Sequence, residues 1–235
     1  MKRVLTLFLS LLLSAGALFA QDWFQSLRQK VNQGDAGAKN ILNKLVSKAQ
    51  QGDAESQWQL GWAFEEGGEY FPRDFTEALK WFRLAAEQGN PEKQWILGGV
   101  LLSRGEKEVD DLPYTLEALK WLRISADKGF LESQKLLATT LDDDSRVEDI
   151  IESAKWRGKA AYQGDAGMQY LQGLAYRMGT KGVPRDDVLA YMWFSLSAAS
   201  GYKGTFDNLI DLEVRMIPQQ IAQAQELARN WKPKK

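Results

Sequence analysis

A tryptophan followed eight residues later by a glycine occurs four times in this chain, at Trp81 and Gly89, Trp121 and Gly129, Trp156 and Gly164, and Trp193 and Gly201. With Gly34 and Gly52 added, successive glycines lie 18, 37, 40, 35 and 37 residues apart. A period in this range restricts the chain to a stack of like supersecondary units, none of which buries its apolar face alone.

Within each period two helices are expected. The first carries an apolar stripe, Trp58, Leu60, Gly61 and Phe64, then Trp95, Leu97, Gly98 and Leu101. The third and fourth units give Leu137, Ala138 and Leu141, then Tyr170, Gly173 and Tyr176. These spacings mark one helical face. The small residue at Gly61, Gly98, Ala138 and Gly173 predicts that a neighbouring helix backbone passes close by, since Gly lowers helix propensity by about 1 kcal/mol against Ala. A Gly- and Pro-bearing loop follows, Gly67 to Asp74 or Gly179 to Asp186, and Asp74 and Asp186 are placed to cap the second helix. Asp74 with Glu77 has the spacing of a capping box. The second helix has small residues at Ala78, Ala118, Ser153 and Ala190, the Trp three positions on, and Ala86, Ala126, Ala161 and Ala198 five beyond that. Small, large, small on one face makes each Trp a core knob, and the closing Gly ends the helix in a left-handed conformation.

The ends depart from the period. Trp23 to Gln33 and Lys39 to Gln51 form two short helices of a degenerate first unit. Pro218 suits the first turn of a closing helix with Ile221, Ala224, Leu227, Ala228 and Trp231 on one face. Trp231 to Lys235 is expected to be a frayed basic tail. Met1-Lys2-Arg3, the apolar run Val4 to Leu13 and the small residues Ser14 to Ala20 have the three parts of a cleaved secretory leader. Cleavage is expected after Ala20 or Ala17. The run is shorter than the ~20 residues a membrane span needs.

Composition narrows the chemistry. The chain has no Cys and no His, which removes disulfides, thiolate metal sites, Ser-His-Asp and Cys-His catalysis and the commonest general base. Formal net charge is −1, and removing Lys2 and Arg3 takes it to −3, so no basic field exists for nucleic acid. No cofactor, metal or catalytic residue is assigned, and the chain reads as a non-enzyme.

The segments Gly52-Asp53-Ala54-Glu55-Ser56-Gln57-Trp58-Gln59-Leu60-Gly61 and Ala78-Leu79-Lys80-Trp81-Phe82-Arg83-Leu84-Ala85-Ala86-Glu87-Gln88-Gly89, with the Gly/Pro loop between them, resemble the Sel1-like repeat, a relative of the tetratricopeptide repeat. Each copy has Gln five residues after its Gly. The resemblance implies an all-α fold, an α-solenoid of stacked antiparallel helix pairs in a right-handed superhelix. The expected division is a leader at 1–20, a degenerate helical unit at 21–51, repeats at 52–88, 89–128, 129–163 and 164–200, and a capping helix and tail at 202–235. The third copy lacks the loop Pro and the first-helix Gly, and the fourth has Gln172 where Leu60 and Leu97 stand.

The resemblance further implies a periplasmic or secreted adaptor, not lipid-anchored, that binds another envelope protein or a peptide on its concave face. First helices line that face in such stacks. Residues one and five positions from the repeat Gln point into it: Trp58, Trp62, Glu65 and Glu66, then Trp95, Gly99 and Leu102, then Lys135, Thr139, Asp142 and Asp143, then Tyr170, Leu174 and Arg177. Trp58, Trp62, Glu65, Glu66, Trp95, Tyr170 and Arg177 are the candidate partner-binding residues, with the aromatics as anchors. The alternatives are a peptidoglycan or carbohydrate binder, with Trp58 and Trp62 stacking on sugar rings, and a cell-wall hydrolase. The last requires two carboxylates about 5–10 Å apart, for which Glu65, Glu66, Asp142 and Asp143 are the candidates.

Overall fold

The structure is a computed structural model that describes residues 26–27, 29–68, 70–105, 112–142, 146–180 and 182–234. The expected leader, residues 23–25 and 28 of the first expected helix, and Asp143 lie outside them. The described residues are almost wholly helical: α1 Ala36–Gln50, α2 Ala54–Glu66, α3 Phe75–Glu87, α4 Pro91–Gly105, α5 Leu112–Asp127, α6 Leu131–Leu141, α7 Val147–Tyr162, α8 Ala166–Met178, α9 Asp187–Ala199, α10 Phe206–Arg215 and α11 Pro218–Asn230. A 3-10 turn, Lys203–Thr205, precedes α10. The chain divides into two compact units, residues 1–125 and 126–235.

Capping chemistry sets the helix starts. Asp35, Asp53, Asp74, Asp165 and Asp186 each accept a hydrogen bond from the backbone N–H three residues on, at 2.8–3.0 Å, which satisfies one of the open donors of the first turn. Asp74 and Asp186 are thus caps, as their position predicts. The helix ends are set by the period glycines, which have φ between +83° and +98° at Gly34, Gly52, Gly89, Gly129, Gly164 and Gly201, a region that disfavours a Cβ.

In the first unit α2 packs antiparallel on α3, with α1 against α2. The core holds Leu42, Leu45, Leu60 and Ala63, with Trp81 half-buried at its edge. In the second unit α6 packs with α7 and α8 with α9, and both α10 and α11 lie on α9. Trp121, Trp156 and Trp193 are buried. Two of these indoles keep their N–H satisfied from their own helix, donating to the carboxylate four residues earlier: Trp121 to Glu117 at 3.2 Å and Trp156 to Glu152 at 2.9 Å.

The first-helix glycines receive a side chain, joined at Gly98 by the backbone approach that the sequence suggests, the Ala118 carbonyl standing 3.3 Å from a Cβ there. A Cβ on Gly61 would stand 2.5 Å from the Phe82 ring, one on Gly98 2.6 Å from Leu122, and one on Gly173 2.7 Å from the Phe194 ring. Those three residues each follow the period Trp and are fully buried. The second helix therefore drives an apolar knob onto the floor of the first, where only Gly leaves room.

The repeat Gln links consecutive units. Gln57, Gln94, Gln134 and Gln169 are buried and donate through Nε2 to the carbonyls of Ala49, Ala86, Ala126 and Ala161 at 3.0–3.3 Å. Each of these last-turn carbonyls also accepts the N–H of the period glycine at 3.0–3.1 Å, so the Gln amide is its second donor. Gln88 and Gln163 extend the chain by donating to Gln57 and Gln134.

The expected capping helix begins at Pro218, and Ala224 is fully buried. The tail is not frayed at 231–234. The Trp231 ring meets the Trp193 ring edge-on at 6.3 Å, the Lys234 N–H donates to the Tyr162 carbonyl at 2.8 Å, and the Lys234 ammonium lies 5.1 Å from the Tyr162 ring centroid. Aromatic contact area, which a charge-based reading of the tail overlooks, holds it down.

Two glycines of the second unit should respond oppositely to alanine. A Cβ on Gly158, within α7, meets nothing within 4 Å, so Gly158→Ala should stabilise by about 1 kcal/mol through helix propensity. Gly173→Ala gains the same propensity but must displace Phe194, and overpacking of about 1–3 kcal/mol should outweigh it. Denaturant midpoints should move up for the first and down for the second; a rise for both would contradict the knob on Gly173.

Candidate functional site

The expected accessible face begins on α2. Trp58 is only 4% exposed. Its ring lies 4.7 Å from Phe82 and 6.1 Å from Trp62, with the Lys93 ammonium 5.3 Å above it. Lys93 also pairs with Glu55 at 2.7 Å, so it ties the start of α4 to that of α2. Trp95, on α4, is equally buried at 4%. These two indoles are packing residues and present no open row.

Trp62 is different. It is half-buried, one turn beyond Trp58 on the same face. Its ring meets Phe82 at 5.2 Å, near-perpendicular, so it is held rigidly with part of its surface in solvent. The indole Nε1 has no hydrogen-bond partner among the described residues. Glu65 pairs through Oε1 with Arg73 at 3.3 Å, while its Oε2 has no hydrogen-bond partner among the described residues. Glu66 is half-buried beside it.

On α4, Gly99 and Leu102 are buried. On α6, Lys135 pairs with Asp165 at 3.0 Å and Glu132 at 3.3 Å. Burial works against the Lys135 charge, yet these two carboxylates raise its pKa above the usual lysine value. The Thr139 hydroxyl donates to backbone carbonyls of its own helix, and Asp142 is exposed. On α8, Tyr170 is half-buried against the Tyr202 ring at 4.9 Å and Phe194 at 5.7 Å. Leu174 packs against the cluster of Ala190, Phe194 and Leu212. Arg177 donates to Asn208 and pairs with Asp211 at 2.7 Å. The fourth-repeat residues expected to meet a partner are therefore engaged by α10 and the turn before it, a helix that the sequence reading had not resolved.

Between α3 and α5 the Arg83 guanidinium grips Glu117 with two bonds of 2.7 Å. That contact, with the Trp121 indole as a second donor, holds the Glu117 carboxyl below the usual range.

Sequence reasoning missed one buried polar pair. Arg157 follows the period Trp156 and so occupies the knob position held elsewhere by Phe82, Leu122 and Phe194. It is 7% exposed, and its Nε donates to the Gln172 carbonyl oxygen at 3.1 Å. Burial lowers its pKa, and Asp142, 3.8 Å away, offsets this in part. Gln172 is itself the departure from Leu60 and Leu97. The two departures are one event, a buried guanidinium and the amide that receives it, and their coincidence in adjacent repeats was the available signal.

The Sel1 repeat model matches residues 54–90, 94–130 and 167–202. The chain is a member of the Sel1-repeat family, an all-α repeat fold whose members typically form non-catalytic scaffolds for protein interaction. It is similar to the solved structure of c5321, a protective antigen of uropathogenic Escherichia coli strains displaying an SLR fold, with 28% identity and a TM-score of 0.58. It is also similar to a Sel1 repeat protein from Oxalobacter formigenes, with 25% identity and a TM-score of 0.64. The match covers 87% of this chain in both cases, but only 44% and 65% of those two chains. No curated protein sequence matches the chain. The third repeat, which the family model does not match, still forms the helix pair α6 and α7.

Removing the amide partner of Arg157 should be costly in the singular. Gln172→Leu leaves a buried guanidinium short of its acceptor and should destabilise by about 1–3 kcal/mol. Arg157→Leu with Gln172→Leu should recover much of that loss, because an apolar pair of similar volume can replace a buried polar one. Chemical denaturation of the single and double variants reads this, and additive losses would contradict the coupling.

Proposed function

We propose that this chain is a non-enzymatic scaffold of the bacterial cell envelope, exported by its N-terminal leader, that binds a partner protein or peptide through the Trp62 face of its first repeat. The observation that carries the site is the state of Trp62. It is locked by Phe82 and Trp58 and keeps part of its side chain open to solvent, while its Nε1 is buried. A rigid, partly exposed aromatic is the kind of group that anchors an interface. Glu65 beside it supplies a carboxylate, which favours a partner with basic groups. The export assignment rests on the basic start, the short apolar run and the small-residue exit of residues 1–20.

The same partly exposed indole favours one second reading, a saccharide of the cell wall. Its ring would stack on the open part of Trp62. The hydrolase reading has less support, since Glu65 is engaged by Arg73 and Asp142 faces Arg157.

Affinity capture from periplasmic extract with the leader-free chain and with Trp62→Ala separates these readings. The scaffold reading predicts a protein retained by the first and lost by the second, at equal helix content and with a cooperative melt in both. The same protein on both columns would remove Trp62 from the site. Capture of nothing, with tryptophan fluorescence changed by soluble peptidoglycan fragments, would favour the saccharide.

A further inference from the structure

Helix α10 reverses the pattern of the other first helices. Its buried residues are Asn208 and Leu212, continued by Thr205 before it and Met216 after it. At 100° per residue the opposite face carries Phe206, Ile210 and Val214. These three are 59%, 61% and 83% exposed. Scattered apolar residues on a surface need no explanation, but three large ones in line along one helix do. A helix at the end of a repeat stack needs a polar outer face for solubility, and α10 presents the reverse.

The edges of the stripe are acidic. Asp207 and Glu213 each lie about 60° from Ile210, one on either side. Tyr191 donates to Glu213 at 2.7 Å and fixes the carboxylate at that edge. Asp211 is farther round and is already paired with Arg177 and Arg215. Lys203 lies at the entry to the helix, ahead of the stripe.

This charge pattern selects among occupants. Two copies of α10 meeting about a twofold axis would set Asp207 beside Asp207 and Glu213 beside Glu213, like against like with no counter-charge between them. An anionic lipid surface would be repelled in the same way. A helix whose apolar stripe is flanked by Lys or Arg would bury Phe206, Ile210 and Val214 and pair both edges.

We propose that the outward face of α10 is a docking surface for an amphipathic helix of another protein, with basic residues flanking its apolar stripe. This deepens the scaffold reading and rests on it, but it concerns a second surface, separate from Trp62.

The probes are two fluorescein-labelled helical peptides with the same leucine stripe, one flanked by Lys and the other by Glu. Anisotropy is read with the full chain and with its Ile210→Glu, Asp207→Asn and Ile41→Glu variants. Ile41 serves as a control, being 49% exposed on α1. The Lys-flanked peptide should bind at least about tenfold tighter than the Glu-flanked one, a difference of ~1.4 kcal/mol, and added salt should weaken it. Ile210→Glu should abolish binding even though it adds a negative charge, Asp207→Asn should weaken it, and Ile41→Glu should leave it unchanged. Equal binding of the two peptides, no binding of either, or survival of binding in Ile210→Glu would overturn the proposal. So would a wild-type dimer in sedimentation that Ile210→Glu dissociates, which would assign the face to a second copy. A Trp62-dependent partner captured while both peptides fail would leave the scaffold reading standing without this surface.

Discussion

Three of the four repeats depend on one contact, the seating of a second-helix side chain on a first-helix glycine. Phe82 on Gly61, Leu122 on Gly98 and Phe194 on Gly173 bring the two helices of a pair closer than any Cβ at the glycine would allow. The glycine disfavours the helix locally, and the buried ring or leucine more than offsets that, since burying such a side chain contributes roughly 1.5–3 kcal/mol. The period Trp stands next to the knob, and its indole N–H is satisfied from within its own helix at Trp121 and Trp156. Close pairing within a repeat brings the next helix near enough for the repeat Gln to reach the last carbonyls of the helix before it.

That local dependence explains how the third repeat tolerates so large a departure. Its knob is Arg157 and its floor is Ala138, a combination that would fail if a guanidinium had to sit unpaired in an apolar seat. Gln172 from the next repeat answers it, and the irregularity is settled within two adjacent units. Quasi-one-dimensional architectures allow this, because each repeat need be consistent only with its neighbours. It also leaves outer faces free to vary, which suits a protein whose function lies in what its surfaces hold.

Much of the fold was legible in the chain. The Trp-to-Gly spacing located four second helices, the loop aspartates Asp74 and Asp186 marked two of their starts, and Pro218 marked α11. Three things were not. The small first-helix residue predicted a close approach but could not say that a second-helix side chain makes the tightest contact. The tail looked free because its charges are conspicuous and its contacts are aromatic. Helix α10 escaped notice because its apolar residues point outward, so the pattern that signals a buried face gives no reference there. The candidate site was legible in part. Its helix and residue types could be read from spacing, but exposure depends on tertiary packing, which buries Trp58 and Trp95 and leaves Trp62 half-buried.

The knob-and-glycine contact can be observed directly in solution. An aromatic ring held over a glycine shifts that glycine's α-proton resonances upfield, whereas a leucine does not. Assigned NMR spectra of the chain should therefore show upfield α-protons at Gly61 and Gly173, beneath Phe82 and Phe194, and ordinary values at Gly98, beneath Leu122. Ordinary values at all three glycines would mean that the rings do not sit where the account requires, and the explanation of the repeat would fail with them.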